Sequence, residues 1–423
     1  MQTTIRTFGA AGLAAAMLFS MGACGAGGDS AGGSDYTGGV KDDGVVKFIM
    51  ADDQNGAFAD AAKKYEQETG VKVEVSEVAY SDLRTKLANG AQANDLPDTA
   101  RVDQLNPVWS DQLVDLTDLA SSAKVLDNMV VKNSDNKVLT LPSDLTAVGL
   151  FINKSLFDQA GVSYPTDESN IWTWDEFIDA IKQVKAKTGA KYGMVMDAST
   201  HRERAMMYQF GSQDVQQVGD EWKLDQGAKD ALEYLNKIND DDIMPRSVWL
   251  SKDDPSALFK SGQVAAYYSG NWQIADFVNS ITDFEWQAVY MPYQTTRATN
   301  LGNGWMVAFS AEGKKFLDWF YQSDNYKAFC EQGSYLPAVN DLTPEYSQRN
   351  EDFQIFNDEI AASDPISSHQ NVSQLEMALK GAILSEDPMK LETVKYLSGE
   401  EDVDTAISNM EAGFTKYYSD TDE

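Results

Sequence analysis

Cysteine is almost missing from this chain of 423 residues, which has only Cys24 and Cys330. A disulfide framework is excluded, so stability has to come from packing, as suits a body large enough for two domains. Basic residues are scarce as well, 34 against 66 acids, for a formal charge of -32. That field excludes nucleic acid and anionic polymers as natural partners, leaves a neutral ligand untouched and attracts a cation. Solubility is the plainer explanation of the charge. Long apolar runs are lacking too. The one run, from about Ala10 to Met21, falls short of the roughly 20 residues a membrane helix needs. Of the two histidines, His369 has no Cys or His nearby, so no metal site and no cofactor are expected. HExxH, CxxC and GxxxxGK[ST] are absent. With 66 acids, carboxylate pairs are inevitable and are no sign of glycoside hydrolysis.

What is present begins with MQTTIRTFGAAGLAAAMLFSMGAC, residues 1–24: one early positive charge at Arg6, the short apolar run, then Gly22 and Ala23 before Cys24. This is a secretory signal whose cut-point cysteine can take a lipid, so residues 1–24 are read as a lipoprotein signal and Cys24 as the lipidation site. The stretch 25–44, rich in Gly, Ser and Asp, reads as a flexible tether. Anchoring at the extracellular face of the cell membrane follows.

From Val45 the pattern is that of an α/β layer structure. VVKFIM (45–50) is a strand, followed by a polar loop and a helix on Phe58, Ala62 and Tyr65. VKVEVS (71–76) alternates as a second strand, and a third ends near Gln104. Thr173 and Glu176 form a T-x-x-E capping box, with Trp172 and Phe177 at the staple positions and Gly189 ending the helix. Strands are expected at 192–196, 264–268, in FEWQAVYMPY and in GWMVAF. The tail beyond Tyr346 reads as helical, with Leu375, Ala378, Leu379 and Ile383 on one stripe.

Five segments carry a resemblance: LTLPSDLTAVGLFINKSLFDQAG (139–161), WTWDEF (172–177), ALFKSGQVAAYYSGNW (257–272), GNGWMVAFS (302–310) and GSYLPA (333–338). In this order and spacing the sequence resembles the bacterial extracellular solute-binding proteins of the large sugar-binding family that includes maltodextrin- and multiple-sugar-binding proteins. The resemblance implies two α/β lobes joined by crossing strands, with a hinged cleft that closes on a ligand. It puts 45–150 plus 286–326 in the N-terminal lobe and 151–285 plus 327–423 in the C-terminal lobe. It further implies a monomer that carries a mono- or oligosaccharide to the permease subunits of an ABC transporter.

Sugars are held by carboxylates and amides that bond adjacent hydroxyls, and by aromatic faces over C–H patches. The polar candidates are Asp52, Asp53, Gln54 and Asn55 after the first strand, Asp103 and Gln104 after the third, Asp144 in the crossing segment, and Asn271 and Asn303 in later turns. Against these stand plain roles: Asn55 caps a helix, Asp52 or Asp53 ends a strand, Asp144 makes a structural hydrogen bond. Among aromatics the candidates are Trp272 and Trp305, then Tyr335 and Tyr80; strand packing is an equal reading for Trp305. Trp172 and Trp174 serve the helix start. His201 and Arg202 read first as a solvated helix start and second as ligand contacts. Two other classes stay open: a receptor for a peptide, polyamine or other cationic solute, and a secreted carbohydrate-active enzyme.

Overall fold

The computed structural model describes residues 44–419, except 364, 383, 385 and 386. The expected signal with Cys24, the tether up to residue 43, and Ile383 lie outside the described residues. Among the described residues the strands are, in chain order, β1 (Val45–Met50), β2 (Lys72–Glu77), β3 (Thr99–Val102), β4 (Leu141–Pro142), β5 (Thr146–Asn153) and β6 (Tyr192–Met196). They continue with β7 (Gln216–Val218), β8 (Glu221–Lys223), β9 (Val264–Gly270), β10 (Trp286–Val289), β11 (Leu301–Gly302) and β12 (Trp305–Ala308).

One sheet has the order β2-β1-β3-β12-β4, the other β10-β5-β9-β6, with β11 on β5 and a small β7-β8 hairpin apart. In the first, β1 runs parallel to β2 and β3, and β12 runs antiparallel to β3 and β4. In the second, β5 is antiparallel to β9 and β10, while β6 is parallel to β9. The sequence pattern explains both. All four residues of β3 are buried, as a central strand requires, whereas β2 at the edge alternates half-buried Val73 and Val75 with exposed Lys72, Glu74 and Ser76. On β5, successive residues face opposite ways. Phe151 joins a buried cluster shared with the first lobe, and Leu150 and Ile152 join the cluster on the other face.

The chain forms two lobes, but the expected boundaries cut through elements. β5 begins at Thr146 inside the second sheet, and β10 pairs with it from Trp286↔Asn153 to Val289↔Leu150. Residues 286–289 are therefore part of the second sheet, because a strand goes where its hydrogen-bond partner is. Residues 323–338 move the other way. Helix Ser323–Gly333 packs on helix Ala57–Thr69, and Phe329, Cys330, Tyr335 and Leu336 lie in the cluster with Phe58. The chain crosses between sheets at 143–146 and 302–305, and again on the way to helix Asn350–Ala362, where Leu145 bridges Leu336.

Helix starts follow the sequence signals. At Trp174–Thr188 both halves of the capping box are formed, and Gly189 closes the helix in the left-handed conformation. Helix Asn350–Ala362 covers the β10 edge with charge: Asp352 accepts from the Ala288 N–H (2.7 Å), Glu359 accepts from the Met291 N–H (3.0 Å), and Arg349 donates to the Trp286 carbonyl (3.0 Å). These three side chains take the place of another strand. Burial pushes the pKa of Asp352 up to about 6 and that of Glu359 to about 7.

Candidate binding cleft

The carboxyl ends of β1 and β3 and the turn before β12 face the same way in the first lobe. In the second lobe the carboxyl ends of β6 and β9 do so, beside the start of β5. Ligand crevices form at such strand ends because loops there are free to carry polar side chains.

At the first-lobe end, Arg101 on β3 is the organising residue. Its guanidinium donates to Ser143 Oγ (3.0 Å), the Ala51 carbonyl (3.0 Å), Tyr80 Oη (3.2 Å) and Asp144 Oδ1 (3.1 Å). Ser143 donates to the same Asp144 oxygen. Asp144 is fully buried, and its Oδ2 finds no hydrogen-bond partner among the described residues. Gly304 makes room for this arrangement, since a Cβ there would sit 2.4 Å from Arg101 Nε. Tyr80, pinned through its hydroxyl, is 38% exposed as a residue, the most open of the candidate aromatics.

At the second-lobe end, Asp197 follows β6 and accepts from Arg202 Nε (2.9 Å), Ser269 Oγ (2.8 Å) and the Tyr267 hydroxyl. Gln273 donates to that tyrosine oxygen at 3.2 Å. The guanidinium of Arg202 lies 4.3 Å from the centre of the Trp272 ring, a cation–π contact. The far edge of that ring packs on Gly270, where a Cβ would come within 2.0 Å of it. His201, next to Arg202, is half-buried against Asn300 and Gln370; desolvation first, then Arg202, pushes its pKa down to about 3.

The lobes meet in a groove of about 230 Å³ lined by Arg84, Gln104 and Leu105 on one side and by Thr200, Gln374 and Tyr417, among others, on the facing side. Among the described residues, neither the Gln104 nor the Gln374 side chain forms a hydrogen bond, so both amides can take a ligand's hydroxyls. A wider concavity of about 770 Å³ lies away from the cleft, against β10 and helix Asn350–Ala362.

Several candidates prove to have other work. Asp53 accepts the Phe58 and Ala59 N–H groups (2.8 and 3.0 Å) and so caps the first helix. Asn55 exchanges hydrogen bonds with Gln332. Asn271 accepts from the Ala147 N–H at 2.8 Å, which ties β9 to β5. Trp305 is 4% exposed on β12, between Val102 and Pro142, and Tyr335 is 2% exposed, stacked on Phe329; neither ring is open to a ligand. Asp144 lies at the cleft end but is closed off by Arg101. Asp103 pairs with Arg84 and stays partly open, Asn303 accepts from Asn371 (2.6 Å), and Asp52 is exposed after β1. Gln54 reaches across to the second lobe. Arg101, Ser143, Asp197, Tyr267, Ser269 and Gln273 were not among the candidates. Asp197 had the same signal as Asp52 and Asp103, an acid just past a strand.

A family model described as a bacterial extracellular solute-binding protein matches residues 60–354. A lactose-binding protein of Rhizobium radiobacter is 29% identical over 296 residues, covering 64% of this chain and 68% of that protein. A galactooligosaccharide-binding protein of Bacillus subtilis is 26% identical over 290 residues, 63% of this chain and 64% of its own length. The crystal structure of a cyclic alpha-maltosyl-1,6-maltose binding protein from Arthrobacter globiformis matches with a TM-score of 0.68 at 21% identity, over 89% of this chain and 99% of the other. That likeness carries the two-lobe fold.

Proposed function

Because the chain belongs to the family of bacterial extracellular solute-binding proteins, we propose that it is the substrate-binding component of a carbohydrate ABC importer. It captures a sugar or short oligosaccharide between its lobes and hands it to a membrane permease. The observation that carries this reading is that the interlobe groove offers unbonded amides from both lobes, Gln104 after β3 and Gln374 on helix His369–Leu379, while partly open Asp103 and Asp197 and the part-exposed Tyr80 lie near the strand ends of the two lobes. Amides and carboxylates bond adjacent hydroxyls, and a ring face covers C–H surface. Asp52, Asn303 and Trp272 stand beside them as contacts, while Asp144 acts by fixing Arg101. The lactose- and galactooligosaccharide-binding relatives support a sugar as cargo.

A bound sugar leaves unchanged; the protein is a carrier and not an enzyme, and it works as a monomer. Cys24 carries a lipid that holds the body at the outer face of the membrane through the glycine-rich tether. Among the described residues no helix is long and apolar enough to cross a membrane. Detergent-phase partitioning of the full chain and of Cys24→Ser tests the anchor, and equal partitioning rejects it.

Calorimetry of the full chain against lactose, galactooligosaccharides, maltodextrins, spermidine and a mixed peptide pool tests the cargo. A sugar is expected to bind and to be recovered intact, and Tyr80→Ala to weaken it by about 10- to 30-fold. Spermidine or peptide binding with no sugar response would replace the carbohydrate reading with one that rests on the charge of -32.

A further inference from the structure

Gln54 came under consideration as a ligand contact, yet the structure commits its backbone N–H and its side-chain Nε2 to the protein. Its backbone N–H donates to Tyr335 Oη at 3.0 Å, and its side-chain Nε2 donates across the cleft to the Trp272 carbonyl at 3.2 Å. We propose that Gln54 is a positioning residue, a latch that holds the two lobes at a set separation by binding the Trp272 main chain. This rests on the interlobe cleft being the ligand site.

What makes the bond effective is that both of its supports are rigid. Tyr335 is buried, lies against Phe329 with ring centres 4.9 Å apart, and accepts the Tyr346 hydroxyl on its carbonyl at 2.6 Å. Trp272 is fixed on the other side. Asn271 bonds both the N–H and the C=O of Ala147 (2.8 and 3.1 Å), and Gly270 lies under the ring. Arg202, itself tied to Asp197, covers the ring. With neither support free to follow, moving the lobes apart must break the hydrogen bond and not merely stretch the structure around it. The amide and the carbonyl both gain water when the cleft opens, so the latch shifts the closed-to-open ratio by a modest factor, about 3- to 10-fold. Ligand bound behind it dissociates more slowly by that factor, and because entry needs the open form, the latch does not speed association.

The test needs no ligand in its first arm. Spin labels at Lys63→Cys and Glu233→Cys in a Cys24→Ser full chain report the interlobe distance; Cys330 is buried and stays unlabelled. Gln54→Ala and Gln54→Glu, the second of which sets a carboxylate against the carbonyl, should both shift the ligand-free distribution toward longer distances. Distributions identical to that of the parent chain in both variants overturn the proposal, and this holds whether or not any sugar binds. The second arm measures lactose by stopped flow. Loss of the latch in either variant should raise the dissociation rate about 3- to 10-fold without lowering the association rate. An affinity loss with an unchanged ligand-free distribution makes Gln54 a direct contact and rejects the latch. Absence of lactose binding to the parent chain rejects lactose as the cargo, and the first arm still decides the latch.

Discussion

Each lobe sets an arginine–aspartate pair at its cleft end, Arg101 with Asp144 in the first and Arg202 with Asp197 in the second, and water reaches the two to different extents. The first pair has side chains 6% and 0% exposed, the second 15% and 16%. Arg101 is enclosed by Ala51, Tyr80 and Ser143. Removing its partner leaves a charge with nowhere to go. Arg202 lies on the open face of Trp272 and can find water. The same residue types thus form a sealed scaffold in one lobe and a partly water-accessible pair in the other, with burial as the deciding variable.

The sharpest way to break that comparison is to remove both acids in turn. Asp144→Ala should destabilise the fold by about 3 to 5 kcal/mol, because Arg101 stays buried without its counter-charge. Asp197→Ala should cost about 1 to 3 kcal/mol of stability and show its main effect on ligand affinity, since Trp272 loses its brace. Urea unfolding of each variant, with calorimetric titration of the folded protein, separates the two. Equal stability losses would mean that exposure does not divide the pairs.

A second contrast between the lobes concerns protons. The second lobe holds three acids whose pKa burial pushes up: Glu203 to about 8, Glu359 to about 7 and Asp352 to about 6. An acid raised in the fold binds its proton before the unfolded chain does, so stability grows as pH falls through the folded value. His201, lowered to about 3, works oppositely: the unfolded chain takes that proton first, and stability is lost as pH drops below about 6.5. The urea midpoint is therefore expected to rise by about 1 to 2 kcal/mol from pH 8 to about 6.5 and to go on rising to about pH 5, because three carboxyls that take protons in the fold outweigh the one histidine; it falls only below about pH 4. Glu203→Gln with Glu359→Gln should flatten the upper limb. A midpoint that rises between pH 6.5 and 8 would contradict these assignments.

The smallest effect is expected at Asp103, whose pair with Arg84 is open to water at 27% and 49% exposure. Asp103→Asn should change unfolding stability by less than about 1 kcal/mol. Any larger change in sugar affinity by calorimetry then reports contact with the ligand and not a loosened scaffold.

The features legible in the chain are those written within a few residues. Thr173, Glu176 and Gly189 announce a helix with both its ends, and the structure forms all three contacts. Asp144 could be read halfway: an acid in an apolar run must be buried and bonded, but its partner lies on β3, out of reach of any local pattern. Trp305 and Tyr335 follow glycine-rich turns as a stacking residue would, yet β3 and β4 on either side of one and Phe329 against the other close them in. Such burial is decided by pairing between segments remote in sequence. The pairing of 286–289 with β5 is set in the same way, and Gln54 looks like a ligand residue until the opposite lobe is in view.

The order of strands in the first sheet has a consequence for how the chain comes to be folded. β3 ends at Val102, and β12, which covers its open edge, begins at Trp305, about 200 residues later. At a synthesis rate of about 5–20 residues per second, that edge has no partner for about 10 to 40 s after it is made. The second sheet needs only residues 146–302 and is complete first. Both sheets are thus completed within a few residues of each other, and until then the β3 edge stays open to misassociation.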